Sequence, residues 1–383
     1  MSLIKSVEEL FTKHYGGTAK VVSFAPGRVE FIGNHTDYNQ GPVIGAAINM
    51  GVSVALQRCE QTVFRFTSGL YPTVEVTDSS KQLVGKDSWV NYPLGVYNAL
   101  LSRGLKPSGG FEMSIDSDLP HGSGLSSSAA LELASAVALS KAYELDLSNE
   151  ELALVGREAE NNFVGVPCGI LDQGVSACGK KGELVHIDCS TNSFSNIKLG
   201  EGYSIWIFNT HKKHSLVDSM YEKRHDECFE AAKELGVGYL ADLTVAAFDS
   251  GKSKLSPDVA KRAEHVVYEI DRVNKVQELL LGADSCVKDV GALLFQSHRS
   301  SRDLFENSVP ELDYLVDILE SMPAVLGARL TGGGFGGAAM ALTENTFTKV
   351  YAESVSSAYR GMFGEEPKVI HCWASDGARL IRS

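Results

Sequence analysis

The segment that most constrains this chain is a glycine- and serine-rich run between a predicted strand and a predicted helix. Before it, Phe111, Met113 and Ile115 alternate with polar residues, which is typical of a half-buried strand. After it, the Ala- and Leu-rich stretch Ala129–Tyr143 predicts a buried helix. Glycines let a backbone approach a ligand closely, and the first N–H groups of a helix have no partner within that helix. The run therefore predicts a loop that binds phosphate, with an ordinary serine-rich helix cap as the alternative. Its residues are Gly122, Ser123, Gly124, Leu125, Ser126, Ser127 and Ser128.

The length of 383 residues exceeds one typical core and predicts two domains. Hydrophobic residues make up 44% of the chain and charged residues 22%, which is typical of a soluble globular enzyme. Predicted strands and helices alternate irregularly, and this pattern indicates an α+β fold. We place the domain boundary between residues 205 and 206, giving domains 1–205 and 206–383.

The hydrophobic pattern predicts the following elements. Strands are expected at 21–24, 29–32, 43–57, 62–67, 73–77, 111–115, 203–209, 328–331, 338–342 and 368–373. Helices are expected at 89–102, 129–143, from 148 to before 165, 170–177, 218–235, 257–281 and 310–322. The helix from Ser148 should begin with a capping box, because Glu151 follows three residues later.

The net charge of the chain limits the classes of partner that it could bind. It has 35 basic and 48 acidic residues, a net charge of −13, which argues against nucleic acid and an anionic membrane surface as partners. No apolar run approaches the ~20 residues that span a bilayer, and the N-terminal residues do not resemble a signal peptide, so we expect a cytoplasmic protein. Seven cysteines without a CxxC pair indicate neither a zinc site nor a disulfide framework.

A polar turn follows the predicted strand that carries Arg28. Asn34, His35 and Asp37 are crowded directly after Gly33. A carboxylate can accept hydrogen bonds from two neighbouring hydroxyls, while an imidazole and an amide can donate or accept. The turn could therefore bind a polyol, or it could be a polar turn without a ligand.

A second candidate is Asp172, which lies among the apolar residues Ile170, Leu171 and Val175. A carboxylate in such surroundings needs a partner, and Arg28 could supply it. An ionised Asp172 could then take a proton from an alcohol that attacks phosphorus. The alternative is a helix cap or an exposed helical acid.

Three further features are ambiguous by themselves. Glu160 could bind Mg²⁺ together with the hydroxyl of Ser128, since magnesium prefers a few protein oxygens with phosphates and water, or it could face solvent. The glycine-rich run 332–337 predicts a turn close to the phosphate loop. Tyr221 could cover a bound sugar or pack at a helix start.

Four of these segments together resemble the galactokinase family, one of the GHMP small-molecule kinases, in order and in spacing. They are residues 26–39, 120–130, 158–173 and 331–337. The resemblance implies an N-terminal ribosomal-S5-domain-2-like domain, a C-terminal ferredoxin-like domain, and an active site in the cleft between them. It also implies a monomer that uses ATP and Mg²⁺ to phosphorylate the anomeric hydroxyl of galactose.

The resemblance also implies roles for individual residues. Asp172 matches the catalytic base and Arg28 its partner, while Ser128 and Glu160 match the magnesium ligands. The phosphate loop matches the nucleotide-binding loop. The residues at sugar-contact positions are Asn34, His35, Asp37, Gly169, Asp172 and Tyr221.

One departure from the family concerns the sugar. The family has Glu where this chain has Asn34, and Asn where it has Glu30. An amide oxygen accepts a weaker hydrogen bond than a carboxylate. Galactose could bind less tightly, the acceptor could be N-acetylgalactosamine or another aldose, or Glu30 could restore the contact. A sensor that binds galactose and ATP without catalysis is a third hypothesis.

Overall fold

Two β-sheets with packed helices make up the part of the chain that the structure describes. The structure is a computed structural model, and it describes residues 2–106, 108–120, 124–213, 217–282 and 286–383. Both helices and antiparallel strands occur in each half, so the predicted α+β fold is confirmed. Within these ranges no helix combines the length and the apolar character needed to cross a membrane.

The strands are β1 Val21–Ile32, β2 Pro42–Cys59, β3 Phe64–Ser68, β4 Val74–Val76, β5 Gly110–Ser117, β6 Glu183–Asp188, β7 Ser193–Lys198, β8 Tyr203–Lys213, β9 Val325–Thr331, β10 Gly336–Glu344, β11 Lys368–Cys372 and β12 Arg379–Arg382. The helices are α1 Leu3–Tyr15, α2 Asn91–Ser102, α3 Ser127–Ala142, α4 Asn149–Glu158, α5 Leu171–Cys178, α6 Val217–Leu235, α7 Val245–Gly251, α8 Pro257–Leu281, α9 Val287–Ser300, α10 Pro310–Glu320 and α11 Lys349–Phe363.

The first sheet has the strand order β12-β1-β2-β5-β3-β4, and β6 pairs with the beginning of β2 and with β7. Its pairs are antiparallel except for β3 with β5. Helix α3 packs against β1 and β2, and most of its residues are buried, as expected for a helix that is apolar nearly all round. The start of α3 lies beside β1, because the carbonyl oxygen of Leu125 accepts a hydrogen bond from the backbone N–H of Arg28.

The second sheet is antiparallel in the order β11-β8-β10-β9. Helices α9 and α10 pack against β9, and α11 packs against α10. Side chains such as Phe208, Leu330 and Tyr359 form its core. The chain passes from the first sheet to the second between β7 and β8, and β12 returns to pair with β1. The boundary at 205/206 stays a prediction.

The predicted elements agree with the structure except in a few places. Residues 21–24 and 29–32 are not separate strands, because β1 continues through Pro26 and Gly27 with a register shift between Pro26 and Arg28. A bulge lets a strand accommodate a proline without ending. The capping box of Ser148 and Glu151 is present at the start of α4. The sequence pattern missed α1, α7, α9, α11, β6, β7 and β12.

Candidate active site

A polar cavity of about 130 Å³ lies where the two sheets approach each other. The first half contributes β1, the turn after it and the start of α5, and the second half contributes α6 and the turn between β9 and β10. The residues predicted to contact sugar all line this cavity, together with Arg28: they are Asn34, His35, Asp37, Gly169, Asp172 and Tyr221. The fold thus brings together residues from distant parts of the chain, such as Arg28 and Tyr221, which are 193 positions apart.

Asp172 and Arg28 are in direct contact at one side of the cavity. Asp172 lies in the first turn of α5, and its Oδ1 accepts a hydrogen bond from Arg28 Nε at 2.7 Å. Its Oδ2 accepts one from the Ser126 hydroxyl at 2.5 Å. Arg28 also donates to the carbonyl oxygen of Gly124 at 2.8 Å. The candidate base is therefore held in one orientation and joined to the phosphate loop.

The described part of the phosphate loop leads directly into α3. Ser126 precedes the helix in a left-handed conformation, with φ +54°, which is uncommon for a residue with a side chain. Leu125 is buried and its carbonyl oxygen accepts a hydrogen bond from the backbone N–H of Arg28. Ser127 and Ser128 form the first turn of α3, so their backbone N–H groups are available to an anion. The predicted loop residues Gly122 and Ser123 lie outside the described residues.

Glu160 approaches the same helix start from a π-helical turn, Ala159–Val164, that continues α4. It is buried and contacts the Ser128 side chain, and its Oε2 accepts a hydrogen bond from Gln173 Nε2 at 2.6 Å. Burial raises the pKa of Glu160 to about 7, and the charge of Asp172 adds to this. A carboxylate and a hydroxyl beside a phosphate loop are a donor set that suits Mg²⁺. The residues present therefore fit the ion that the resemblance implies.

His35 is part of the cavity wall, but both its ring nitrogens have protein partners. Nε2 lies 3.0 Å from the carbonyl oxygen of Gly333, which can only accept, so Nε2 carries the proton. Nδ1 accepts from the Tyr38 hydroxyl at 2.9 Å. Burial lowers the pKa of His35 to about 4, so the ring is neutral near pH 7. The Tyr221 ring packs on it with centroids 5.0 Å apart.

Asp37 and Gly169 face each other across the cavity wall. A β-carbon at Gly169 would lie 1.9 Å from Asp37 Oδ2, which excludes any larger residue there unless Asp37 moves. Burial raises the pKa of Asp37 to about 7, and the charges of Asp172 and Glu30 raise it further, against a hydrogen bond from the Tyr38 N–H. This carboxyl group can therefore change its protonation state near neutral pH.

Asn34 and Glu30 touch each other. Asn34 Nδ2 donates to Glu30 Oε1 at 3.0 Å and to the Gly332 carbonyl oxygen at 2.9 Å. Glu30 Oε1 also lies 2.9 Å from Arg329 NH1, and burial raises the pKa of Glu30 against the attraction of Arg329. The glycine turn that accepts from Asn34 adjoins the phosphate loop, because a β-carbon at Gly332 would lie 3.8 Å from the Gly124 oxygen.

A second cavity, of about 270 Å³, adjoins the phosphate loop and is separate from the polar cavity. No sequence pattern predicted it. Its walls are largely apolar and aromatic, and they include Tyr71, Trp89, Tyr92 and Leu131, with Ser127 and Ser128 at the loop. The Tyr71 and Trp89 rings stack with centroids 5.6 Å apart. These residues come from separate segments without a common spacing, so no local signal could have found them.

Comparisons with known proteins agree with this geometry. Residues 91–180 match the family model of the GHMP kinases N terminal domain, and residues 277–362 match that of the GHMP kinases C terminal. Residues 9–58 match the galactokinase galactose-binding signature. This last segment contains β1 and the polar turn that line the cavity.

Whole-chain relatives and solved structures extend the match. The chain is 37% identical to a galactokinase of Glaesserella parasuis over 100% of both chains, and 38% identical to one of Actinobacillus pleuropneumoniae over 97% of both. A structure of Lactococcus lactis galactokinase complexed with galactose superposes with a TM-score of 0.94 at 32% identity, covering 99% of this chain and 100% of that one. Mevalonate kinase of Methanococcus jannaschii has a TM-score of 0.65 at 19% identity, covering 94% of this chain and 99% of that one, and shares the fold. The chain belongs to the galactokinase family of GHMP kinases.

Proposed function

We propose that this sugar kinase transfers the γ-phosphoryl group of ATP to the anomeric hydroxyl of galactose, forming galactose 1-phosphate and ADP. The observation that carries the proposal is the contact of Asp172 with both Arg28 and Ser126, between the polar cavity and the start of α3. A sugar in the cavity and a phosphate at the helix start would then meet at Asp172. The sugar-binding signature lies in the segment that forms the cavity wall.

Asp172 would act on the attacking hydroxyl. As the sugar oxygen forms its bond to the γ-phosphorus and the bond to the β-phosphate oxygen breaks, the hydroxyl proton passes to the Asp172 carboxylate. Arg28 orients that carboxylate and supplies positive charge where the transferred group carries negative charge. The first turn of α3 would hold the phosphates through backbone N–H groups, because its dipole favours anions.

Glu160 and Ser128 would hold Mg²⁺ beside the phosphates. When bound, the ion neutralises phosphate charge and orients the β- and γ-phosphates. Glu160 is itself oriented by Gln173, whose Nε2 also donates to Glu132 at 3.0 Å. This amide thus keeps the Glu160 carboxylate directed towards Ser128.

The aromatic cavity next to the loop would take the base of the nucleotide. Its apolar walls and its aromatic side chains suit a flat purine, and its contact with Ser127 and Ser128 places it within reach of the phosphates. The family membership leads us to expect a cytoplasmic monomer that binds a sugar and ATP, and the net charge of −13 argues against nucleic acid and anionic membranes as partners.

A related acceptor is the second candidate. It is favoured by the exchange of residue types at Asn34 and Glu30, which changes the polar groups at the cavity wall. N-acetylgalactosamine or another aldose would then replace galactose in the same reaction. A sensor without catalysis is less well supported, because Arg28, Asp172 and Glu160 are all in place.

The experiment that tests the proposal measures ADP release from Mg-ATP with a panel of sugars. The panel contains galactose, N-acetylgalactosamine, glucose, mannose, arabinose and galacturonate, and the background without sugar is subtracted. Release with galactose alone is expected. Release with a different sugar alone would establish the second candidate, and release with none would contradict both.

The role of Asp172 is tested by the Asp172→Asn variant. We expect turnover to fall by roughly 10²-fold or more while galactose still binds, because the amide keeps the shape and loses the basic oxygen. Asp258→Asn is the matched control, since Asp258 also lies in the first turn of a helix and is exposed. Turnover of Asp172→Asn close to that of the control would contradict the role.

A further inference from the structure

Glu30 presents one carboxylate oxygen to the sugar cavity. Its side chain lies in the cavity wall with only 4% of the residue exposed. Oε1 is occupied by Asn34 Nδ2 at 3.0 Å and Arg329 NH1 at 2.9 Å. Among the described residues, no hydrogen-bond donor reaches Oε2. An acceptor oxygen without a protein donor, on a side chain that lines the cavity, is available to a ligand hydroxyl.

Arg329 and Thr331 on β9 hold Glu30 in place. Arg329 is fully buried, and its NH1 contacts the Glu30 backbone oxygen at 3.3 Å in addition to the carboxylate. The Thr331 hydroxyl accepts from the Glu30 N–H at 3.0 Å. The strand and the side chain are thus fixed from the second sheet, so Oε2 is oriented before a ligand arrives.

Asn34 cannot bind a sugar hydroxyl in the same way without losing its present hydrogen bonds. Both hydrogens of its amide are donated, to Glu30 Oε1 and to the Gly332 oxygen. Its Oδ1 accepts from Asn307 Nδ2 at 2.8 Å and from the Ser301 hydroxyl at 3.4 Å. The side chain is fully buried and links three segments of protein. It is therefore suited to positioning Glu30.

The place of Glu30 in β1 defines which part of a sugar it would contact. Arg28 and Glu30 are two residues apart without a register shift between them, so they share one face and lie ~7 Å apart along the strand. Arg28 holds Asp172, which marks the position of the reacting hydroxyl. Glu30 therefore lies towards the side of the ring opposite the anomeric carbon.

We propose that Glu30, positioned by Asn34 and Arg329, is a specificity-determining residue that accepts a hydrogen bond from the hydroxyl at C4 or C6 of the sugar. This inference rests on the proposed function, because it takes the cavity to be the site of a hexose phosphorylated at its anomeric hydroxyl. The resemblance to the family would place this contact with the sugar at the turn position of Asn34, whereas we assign it to Glu30 on β1.

The test is the Glu30→Gln variant with galactose and its 2-, 3-, 4- and 6-deoxy forms. Glutamine keeps an oxygen for Arg329 and Asn34 and places an NH₂ group where Oε2 lies. We expect KM for galactose to rise about tenfold or more, with KM for ATP within about twofold of wild type, because a charged acceptor is replaced by a donor. The rise should vanish for the 4-deoxy or the 6-deoxy sugar and persist for the other sugars.

A structural effect alone would give a different result. If the variant raised KM equally for all five sugars, or if the effect vanished only for the 2- or 3-deoxy sugar, the inference would be overturned. Glu30→Asp is the second variant in case Glu30→Gln does not fold, since it keeps the charge beside Arg329 and withdraws the carboxylate by one methylene. It should show the same dependence on the deoxy sugars.

Failure of the proposed function can be distinguished from failure of the inference about Glu30. If wild type releases no ADP with galactose, calorimetric binding of the same five sugars to wild type and Glu30→Gln replaces KM. The variant could bind galactose more weakly than wild type does and yet bind the 4-deoxy or the 6-deoxy sugar equally well. That result would support the role of Glu30 and contradict only the proposed reaction. If none of the sugars bound wild type, both proposals would be overturned.

Discussion

Single residues in the cavity are held by protein partners before any ligand binds. Arg28 holds Asp172, Arg329 and Asn34 hold Glu30, and a carbonyl oxygen holds His35. A fixed orientation lowers the entropy that binding and reaction would otherwise lose. The geometry of the cavity should therefore be sensitive to small changes in shape.

Replacement of Gly169 by alanine is the sharpest test of that sensitivity. The new β-carbon would lie 1.9 Å from Asp37 Oδ2, so Asp37 must move out of the cavity wall. We expect KM for the sugar to rise about tenfold or more, with KM for ATP nearly unchanged. The measurement is steady-state kinetics with each substrate varied in turn.

Gly361→Ala serves as the control for that variant. Gly361 lies within α11, and a β-carbon there has nothing within 4 Å. Alanine should leave the kinetics unchanged and stabilise the helix by up to ~1 kcal/mol, because glycine is a poor helix former. Sugar kinetics of Gly169→Ala equal to those of the control would show that Asp37 is not needed at the wall.

At the level of elements, α4 and the π-helical turn after it carry Glu160 to the start of α3. The π-helical turn inserts extra residues into the helical repeat, and such turns are frequent at functional sites. The other end of α4 is closed by the capping box, in which Ser148 accepts from the Glu151 N–H and Glu151 accepts from the Ser148 N–H. The two ends of this short helix therefore serve different purposes.

Ser148→Ala should lower the stability of the protein without changing its activity. Removal of the cap is expected to lower the free energy of unfolding by about 1 kcal/mol, since the first-turn N–H groups lose their acceptor. Turnover should stay within about twofold of wild type, because Glu160 lies beyond the opposite end of α4. Urea unfolding and ADP release measure the two effects. Ser148→Thr keeps a capping hydroxyl and should remain close to wild type, whereas equal loss in both variants would contradict the capping role.

At the level of the whole molecule, α8 connects the second half to the turn that lines the sugar cavity. Glu269 Oε1 accepts from the N–H groups of Gly33 and Asn34, and His265 Nε2 lies 3.2 Å from the Asn34 oxygen. His265 Nδ1 contacts the Ser300 hydroxyl at 2.9 Å. A proton added to the buried ring would remove its acceptor nitrogen and place a charge between the halves.

Stability should fall on acidification because of His265. Burial lowers the pKa of His265 from 6.5 to about 3. Between these pH values the unfolded chain binds a proton at this site that the folded chain does not, so the free energy of unfolding falls as the pH drops from about 6.5 towards 3. His35, whose pKa burial lowers to about 4, acts in the same direction. The raised pKa values of Asp37 and Glu160 act in the opposite direction.

The contribution of His265 is isolated by comparison with His265→Gln. Urea unfolding across pH 5 to 8 should show wild type losing more stability on acidification than this variant, because the carboxyl contributions are common to both. His14→Gln changes an exposed histidine and should follow the wild-type curve. Parallel curves for wild type and His265→Gln would contradict the assignment.

The sequence by itself determined the local chemistry of this protein. Short segments such as 26–39 and 120–130 carry the turn, the glycines and the helix start within a few residues, and the physical constraints on them are local. Most of the strands and helices followed for the same reason. The exceptions are the seven missed elements, α1, α7, α9, α11, β6, β7 and β12, and the bulge that joined two predicted strands into β1. The contact of Arg28 with Asp172 could be anticipated because a carboxylate among apolar neighbours needs a cationic partner.

The tertiary structure alone decided which atoms face the cavity. Glu30 and Asn34 are close in sequence, yet the free oxygen belongs to Glu30 because Arg329, Gly332 and Asn307 arrive from the second half and occupy the remaining polar atoms. The aromatic cavity beside the phosphate loop likewise combines Tyr71 and Trp89 with Leu131 of α3, which comes from a separate segment. Hydrogen bonds between residues as far apart in the chain as Arg329 and Glu30, 299 positions, follow from the complete fold and leave no spacing to recognise in the sequence.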